Sequence, residues 1–418
     1  MYLMNSNTVP NELLKPFHTK DFYFCLTITG IIIIILLIPT GFEASEPVVS
    51  FNCIGKVVET DNSEIHQFNI IKTGDQRIFV RCLSGPLKND TIETVNHLMG
   101  KMELDKFFTA GDKVLVNGEI DSKTKSLIGA RSIDHYRLHL ELHLLLLFVI
   151  ILVGFAGWTG IKALLSFIFT AVVLWKILLP GLLHGYEPIY LSLGIVSVIT
   201  GVIIFLIGGF SRKGVTAFTG SLSGVIFTCI CALVFGNLFK IHGAVKPFAE
   251  TLLYSGFAHL NLTSIFLAGI FIASSGAIMD IAMDIAAAQH EIKSKNPDIS
   301  PKELIFSGFA VSKAVIGTMT TTLLLAYSGG YTTMLMVLLA QGTPASHILN
   351  LHYVAAEILN TLVGSFGLIT VAPFTSICGG FIFSSSNQNI LRSLLVSTQK
   401  KMRILISRVN MLSRNKIS

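Results

Sequence analysis

The sequence predicts an α-helical polytopic membrane protein with about eight transmembrane helices and a small extracytoplasmic β-rich domain between the first two. Of the 418 residues, 51% are hydrophobic and only 13% are charged, and the mean hydropathy is +0.67. Ordinary globular domains are about a quarter charged. Long apolar runs recur along the chain, and one polar stretch with β-strand patterns interrupts them.

Eight apolar runs are long enough to be transmembrane helices, because a bilayer core about 30 Å thick requires about 20 residues. They are residues 22–40, 138–156, 160–180, 188–210, 215–236, 264–286, 307–328 and 353–384. The apolar segment 331–341 is too short to cross alone, so we expect a re-entrant or interfacial piece, with an extension of the seventh helix as the alternative. Pro373 has no backbone donor and is expected to kink or break the last helix.

The basic residues predict the orientation. The tail 386–418 contains no acid and seven basic residues, and a short turn adds Arg212 and Lys213, which places both segments in the cytoplasm. With eight spans the N-terminus is also cytoplasmic. The first apolar run is expected to be a retained anchor, since cleavage after Ala44 would leave Phe42 where a small residue is preferred. The predicted organisation in the cell membrane is a cytoplasmic N-terminus (1–21), an anchor (22–40), an extracytoplasmic domain (42–137), a membrane core (138–385) and a basic cytoplasmic tail (386–418).

The segment 42–137 has a different pattern from the rest of the chain. Short runs such as "SFNCIGKVVET", "QRIFVRCL" and "DKVLVNGEI" have strand-like composition and are separated by turn signals. They predict a small OB-like barrel or sandwich with one helical stretch near residues 91–107. No aromatic and basic face of the kind that binds single strands is present, so nucleic acid is not an expected ligand. A partner-binding or gating role is favoured.

The two cysteines of this domain, Cys53 and Cys82, are a candidate disulfide, because the domain faces an oxidising compartment. Two buried free thiols are an equal alternative, since the spacing does not fix the geometry of the pair. The other four cysteines lie in predicted spans. The sequence predicts neither a metal site nor a cofactor.

The sixth span contains two aspartates, Asp280 and Asp284, in "MDIAMDIAAAQHE". Four residues of helix place both on one face, so they can act as a pair. A charged side chain in a span costs about 2.5–3.5 kcal/mol at the bilayer centre and less near the interface. A compensating cation is therefore expected, and Lys313 has the right depth in the next span. We predict a contact between one of these aspartates and Lys313.

This cluster has two interpretations. The three residues either hold two helices together or line a polar path for a cation or a proton. Glu357 and Asn360, one turn apart in the last span, are candidates for the same path. Lys176 in the third span is expected to extend its ammonium to the interface instead.

The order of these motifs resembles the YibE/F family of bacterial membrane proteins. The resemblance covers about residues 135–385 and rests on "GFSRKGVTAFTGSLSGV", "MDIAMDIAAAQHEIKSKNPDISPKELIFSGFAVSKAVIGTMTTT" and "LNLHYVAAEILNTLVGSFGLITVAPFTSI". It implies a multi-spanning core with an extracytoplasmic N-terminal domain and, as partners, the lipid bilayer and a second, smaller membrane subunit of the same family. Members usually have an Arg-Asp pair where this chain has Lys313 and Ala314.

No enzyme motif is present: the chain has no Walker loop, nucleophile elbow, HExxH motif or kinase signature. Two functional hypotheses follow. The first is a transporter or permease-like protein whose path is lined by Asp280, Asp284, Lys313, Glu357 and Asn360. The second is a non-transporting scaffold or receptor whose β-rich domain binds a partner.

Overall fold

A computed structural model describes residues 19–42, 49–120 and 127–384. The chain forms two compact units. The first spans Phe42–Ala156, and the second combines the segment up to Gly41 with the segment from Gly157 onwards. We call the second the helical unit. The basic tail and most of the predicted cytoplasmic N-terminus lie outside the described residues.

The first unit contains a closed barrel of five strands. These are β1 (Val49–Phe68), β2 (Ile71–Cys82), β3 (Thr91–Met99), β4 (Lys113–Ile120) and β5 (Leu127–His135). Their order around the barrel is β1-β2-β3-β5-β4, and β4 pairs with β1 to close it. The prediction of a small β-barrel domain is confirmed.

The predicted helical stretch near 91–107 is wrong, because its first nine residues form β3. Alternate residues of β3 face the barrel interior, but two of them are polar, so the apolar pattern is broken in the sequence. Inside the barrel, Thr94 hydrogen-bonds Ser132, and Asn96 donates to the backbone oxygen of Lys106 and to the side chain of Gln76. These bonds offset the cost of burying polar groups.

The helices agree closely in position with the predicted spans. They are α1 (Thr19–Leu37), α2 (Leu138–Val173), α3 (Leu179–Leu183), α4 (Pro188–Gly208), α5 (Arg212–Phe239), α6 (Ala249–Tyr254), α7 (Leu262–Lys295), α8 (Pro301–Ala340), α9 (Ala345–Asn350) and α10 (His352–Ser384). A π-helical turn, Leu174–Leu178, joins α2 to α3.

Six helical stretches of the described chain are long and apolar enough to cross a membrane: Leu138–Leu183, α4, α5, α7, α8 and α10. The first contains two predicted spans, which meet at Gly157, where the backbone leaves the helical region (φ 54°, ψ −127°). Glycine adopts a positive φ without steric cost. The anchor contains a shorter apolar helix, Asp21–Leu37. The chain is thus built as a multi-pass membrane protein, and eight separate crossings stay a prediction.

In the helical unit, α5, α7 and α10 pack against one another at the centre. α4 lies against α5 and α7, and α8 lies against α10 and α7. Glycines allow the close approach of α5 and α10: a Cβ added at Gly220 would lie 2.1 Å from Thr375 Oγ1, and one added at Gly367 would lie 2.1 Å from Thr228 Oγ1. Small residues play this part in membrane helix interfaces.

Two predictions of irregularity in the last helices require correction. The segment 331–341 is not re-entrant, because α8 continues as one helix from Pro301 to Ala340. α10 is also continuous through Pro373, so the predicted break is wrong, and the kink stays a prediction. Val371 and Thr375, on either side of this proline, pack against Gly224 and Gly220 of α5. We attribute the continuity of α10 to this packing.

Candidate functional site

The helical unit contains a cavity of about 770 Å³ beside the start of α10. Its walls come from the segment 244–251 between α5 and α7, from α8 and from α10. We call it the Glu357 cavity. The polar and aromatic residues among those that line it are Lys246, Phe248, Glu250, Thr251, Tyr327, Tyr331, Tyr353, Glu357 and Asn360.

An ion pair lies in this cavity. Lys246 Nζ donates to Glu357 Oε1 over 2.5 Å, and the side chains are 40% and 21% exposed. The Lys246 ammonium also lies 5.6 Å from the ring centroid of Phe266 in α7. The pair therefore joins the segment after α5 to the first turns of α10, at a place open to the cavity.

Local backbone packing positions Lys246. Gly243, three residues earlier, lies so close to the start of α7 that an added Cβ would be 1.8 Å from the Leu262 carbonyl oxygen. The Gly243 backbone N–H donates to Thr263 Oγ1 over 3.3 Å. A short 3₁₀ turn, Gly243–Val245, then leads directly to Lys246. A glycine at position 243 is therefore required for this placement.

Asn360 lies one turn after Glu357 on α10 and is only 8% exposed. In the described part of the chain, no residue forms a hydrogen bond with its amide. Its amide lies at the wall of the Glu357 cavity. The hydroxyl of Tyr327, across the Glu357 cavity, is likewise buried without a partner among the described residues. Two unused polar groups thus converge on one cavity.

Asn360 also lines a second cavity of about 550 Å³, which we call the Phe266 cavity. It lies on the other side of Lys246 and Phe248 and runs along α7, where Gly269 and Ala273 form part of its wall. The two cavities therefore adjoin at Asn360.

The exposed face of α7 continues from the Phe266 cavity to the two aspartates. Gly269, Ala273, Gly276, Asp280 and Asp284 are all exposed, and their spacing of three or four residues places them in one stripe. A Cβ added at Gly269 or Gly276 would have no neighbour within 4 Å. Asp280 lies about 27 Å along the helix from Leu262. We call these five residues the α7 stripe.

The predicted contact between Asp280 or Asp284 and Lys313 is wrong. Among the ion pairs of the described residues, none joins Lys313 to either aspartate, and all three side chains are exposed. Ser312, the neighbour of Lys313, is 3% exposed and faces Ser376 of α10. Consecutive helix residues point about 100° apart. Because Ser312 is the residue that packs against α10, Lys313 points in a different direction and stays exposed.

The five predicted path residues therefore fall into two places. Glu357 and Asn360 lie together in the Glu357 cavity, and Asp280 and Asp284 lie farther along the α7 stripe. Lys313 lines neither of the two cavities.

The sequence analysis missed Lys246, because a single lysine in a loop gives no sign of its partner 111 residues away. It also missed Lys162, which is 7% exposed and lies 3.6 Å from Asp21 of α1. Lys176 donates to the backbone oxygen of Ile38 over 3.1 Å, beyond the end of α1.

In the barrel, the Cys53 and Cys82 side chains are both buried as free thiols, with their sulfur atoms 2.9 Å apart. Burial and the hydrogen bond with Cys82 raise the pKa of the Cys53 thiol to about 12. A thiol with so high a pKa is a poor nucleophile, because only the thiolate reacts. Their disulfide stays a prediction. Within the described residues, no group of three or more His, Cys, Asp or Glu side chains is placed to hold a metal ion.

Comparison with known proteins gives one match. A family model described as YibE/F-like protein matches residues 144–385, more than half of the chain. The match includes α4 to α10, and so the Asp280 and Glu357 regions. No curated protein and no solved structure matches the chain.

Proposed function

Because this chain belongs to the YibE/F-like family, with its multi-pass membrane architecture, we propose that it is a transporter or permease-like protein for a small solute or ion. Its path runs from the Glu357 cavity past Asn360 and along the α7 stripe to Asp280 and Asp284. The cell membrane is its location, and both termini are cytoplasmic.

The observation that supports this proposal most strongly is Asn360. Polar groups that only hold helices together are paired with each other, whereas the amide of Asn360 forms no hydrogen bond with a described residue and lines two cavities. Polar groups that line a cavity in a membrane protein are typical of substrate sites near broken or packed helices.

The α7 stripe gives independent support. Asp280 and Asp284 lie about 27 Å and 33 Å along α7 from Leu262, near the far end of a crossing, where an ionised aspartate facing lipid costs less than the about 2.5–3.5 kcal/mol of the bilayer centre. Water along the stripe removes that cost. The small residues Gly269, Ala273 and Gly276 leave the space that water or a solute needs.

The accessibility of the stripe can be tested by cysteine labelling in a chain whose six native cysteines are replaced by alanine. Ala273→Cys should react with a membrane-impermeant thiol reagent. Ile230→Cys is the matched control, because α5 and α7 pack antiparallel, and Ile230 is a 53% exposed residue at a similar depth. Equal labelling of the two positions, or none of Ala273→Cys, contradicts a water-filled path.

Transport itself can be measured with the full-length protein in vesicles that contain a pH-sensitive dye, under an imposed proton or potassium gradient. The wild type should dissipate the gradient faster than empty vesicles, and both Glu357→Gln and the double variant Asp280→Asn, Asp284→Asn should lose this activity. Glu93→Gln changes an exposed carboxylate of the barrel and is the control. A wild-type rate equal to that of empty vesicles, both for the imposed ion gradient and for a gradient of an alkylammonium solute, would overturn the proposal.

A second candidate function is a receptor or scaffold, and one feature of the barrel favours it. The tip of the β1–β2 hairpin exposes Phe68 (85%) and Ile70 (66%), and Met99 at the end of β3 is 65% exposed. Exposed apolar patches often mark protein interaction sites. If the barrel binds a partner protein, the double variant Phe68→Ser, Ile70→Ser should lose that binding. Under the transport hypothesis the same variant has wild-type flux.

The transport proposal includes a second, smaller membrane subunit of the same family as a partner. The exposed Lys313 of α8 supports it, since a charged side chain avoids lipid.

A further inference from the structure

We infer that the Glu357 cavity recognises the ammonium group of a small organic solute, and that Lys246 is an internal competitor for the same place. This inference rests on the proposed transport function and names the chemical class of the solute.

The position of Lys246 shows what the cavity can hold. Its side chain ends in a primary ammonium on an alkyl chain, and this group donates to Glu357 and lies near the Phe266 ring. An alkylammonium solute has the same donors, so it can replace the lysine at the Glu357 carboxylate. Lys246 is 40% exposed, which leaves its side chain free to move out.

The charge of the cavity favours a cation. Its lining includes one basic residue, Lys246, and two acidic residues, Glu250 and Glu357. The formal charge of this set is 1 − 2 = −1. Glu357 is paired with Lys246, and the exposed Glu250 forms no ion pair with another described residue. A bound cation would neutralise the set, whereas an anion would increase the imbalance.

The aromatic side chains fit an organic cation better than a metal ion. Tyr327, Tyr331 and Tyr353 line the cavity, and aromatic rings attract ammonium groups through their π faces. Asn360 adds an unused amide oxygen that can accept a hydrogen bond from the ammonium. Calcium or magnesium would require about six oxygen ligands around one point, with no competing lysine.

The test is ligand-induced stabilisation of the purified full-length protein in detergent, with n-butylammonium as the probe because it matches the end of a lysine side chain. Butyrate and n-butanol, of the same chain length, are the controls for charge sign and for apolar binding. We expect a saturable rise in the unfolding midpoint with butylammonium only. An equal rise with butyrate or butanol would overturn the inference.

Two variants sharpen the test. Glu357→Gln should abolish the response to butylammonium. Lys246→Met removes the competitor while keeping a chain of similar length, so the half-saturating concentration should fall about tenfold or more, as expected when the binding-competent fraction rises. Lys302→Met, an exposed lysine at the start of α8, should leave it unchanged. Weaker binding by Lys246→Met shows that the lysine binds the ligand instead, and refutes the competition.

A further comparison distinguishes a simple amine from a zwitterion as the source of the ammonium group. L-Alanine, which has an ammonium and a carboxylate, is compared with butylammonium in the same assay. Tighter binding of alanine assigns the group to a zwitterion, and tighter binding of butylammonium assigns it to a simple amine. If the protein binds the ammonium but shows no flux in vesicles, the ammonium site is supported and the transport function is refuted. If it shows flux but does not bind the ammonium, only the proposed class of solute is refuted.

Discussion

The close packing of α5 on α10 predicts a sharp difference between two glycine-to-alanine substitutions. At Gly220 an added Cβ would lie 2.1 Å from Thr375 Oγ1 and 2.9 Å from Thr375 Cα, so the backbone of α10 has to move. At Gly276, on the α7 stripe, the same atom would have no neighbour within 4 Å. Both positions are helical, so the difference isolates packing.

The magnitude follows from two opposing terms. Overpacking a well-packed site costs about 1–3 kcal/mol. Replacing glycine by alanine inside a helix stabilises the helix by up to about 1 kcal/mol. Gly220→Ala should therefore destabilise the helical unit by up to about 2 kcal/mol, which lowers the unfolding midpoint by up to about 8 °C. Gly276→Ala should leave it unchanged or raise it slightly.

The assay is thermal unfolding in detergent at a fixed scan rate, followed by a thiol-reactive dye that reports exposure of the buried cysteines in the helices, such as Cys229. A fixed rate is needed because membrane proteins often unfold irreversibly. Equal midpoints for the two variants would refute the packing argument, and a lower midpoint for Gly276→Ala would show that the stripe is covered.

Three further predictions concern stability. Gln289→Leu should destabilise the helical unit by about 1–3 kcal/mol, because the buried Gln289 Nε2 donates to the backbone oxygens of Leu304 and Ser376. The control in the same thermal assay is Gln341→Leu, at an exposed helix end. Ser300→Ala should cost about 1 kcal/mol, because Ser300 and Glu303 form a capping box at the start of α8, and an unchanged midpoint would contradict a role for the cap. Oxidation of Cys53 and Cys82 should be slow, because both thiols are buried and the pKa of Cys53 is raised to about 12. The disulfide formed on prolonged oxidation should lower the mass by two hydrogen atoms and stabilise the barrel by about 3–4 kcal/mol for a loop of this length. An unchanged mass, with Cys53→Val as the control, would show that the thiols stay free.

Helix positions were predictable from the sequence because a bilayer imposes a length of about 20 apolar residues on each crossing. The same reasoning placed Glu357 and Asn360 on one face of the last helix, where they share a cavity.

The predictions that were wrong depended on the rotation of a helix about its axis, and the contacts that were missed depended on partners distant in the chain. The depth of Lys313 followed from residue counting, but its direction depends on how α8 packs on α10 through Ser312. The pairing of Lys246 with Glu357 depends on a loop that has no periodic pattern. β3 was misassigned because Thr94 and Asn96 are inward-facing polar residues, which hide the alternation of a strand.

The placement of Gly243 has a mechanical consequence. The backbone of residue 243 is fixed against the start of α7, and the side chain three residues later is bonded to α10. The ion pair therefore connects the start of α7 to α10 through a linkage of only a few residues. A displacement of α7 along α10 larger than the Lys246 side chain can follow would break the bond and leave the Glu357 carboxylate unpaired.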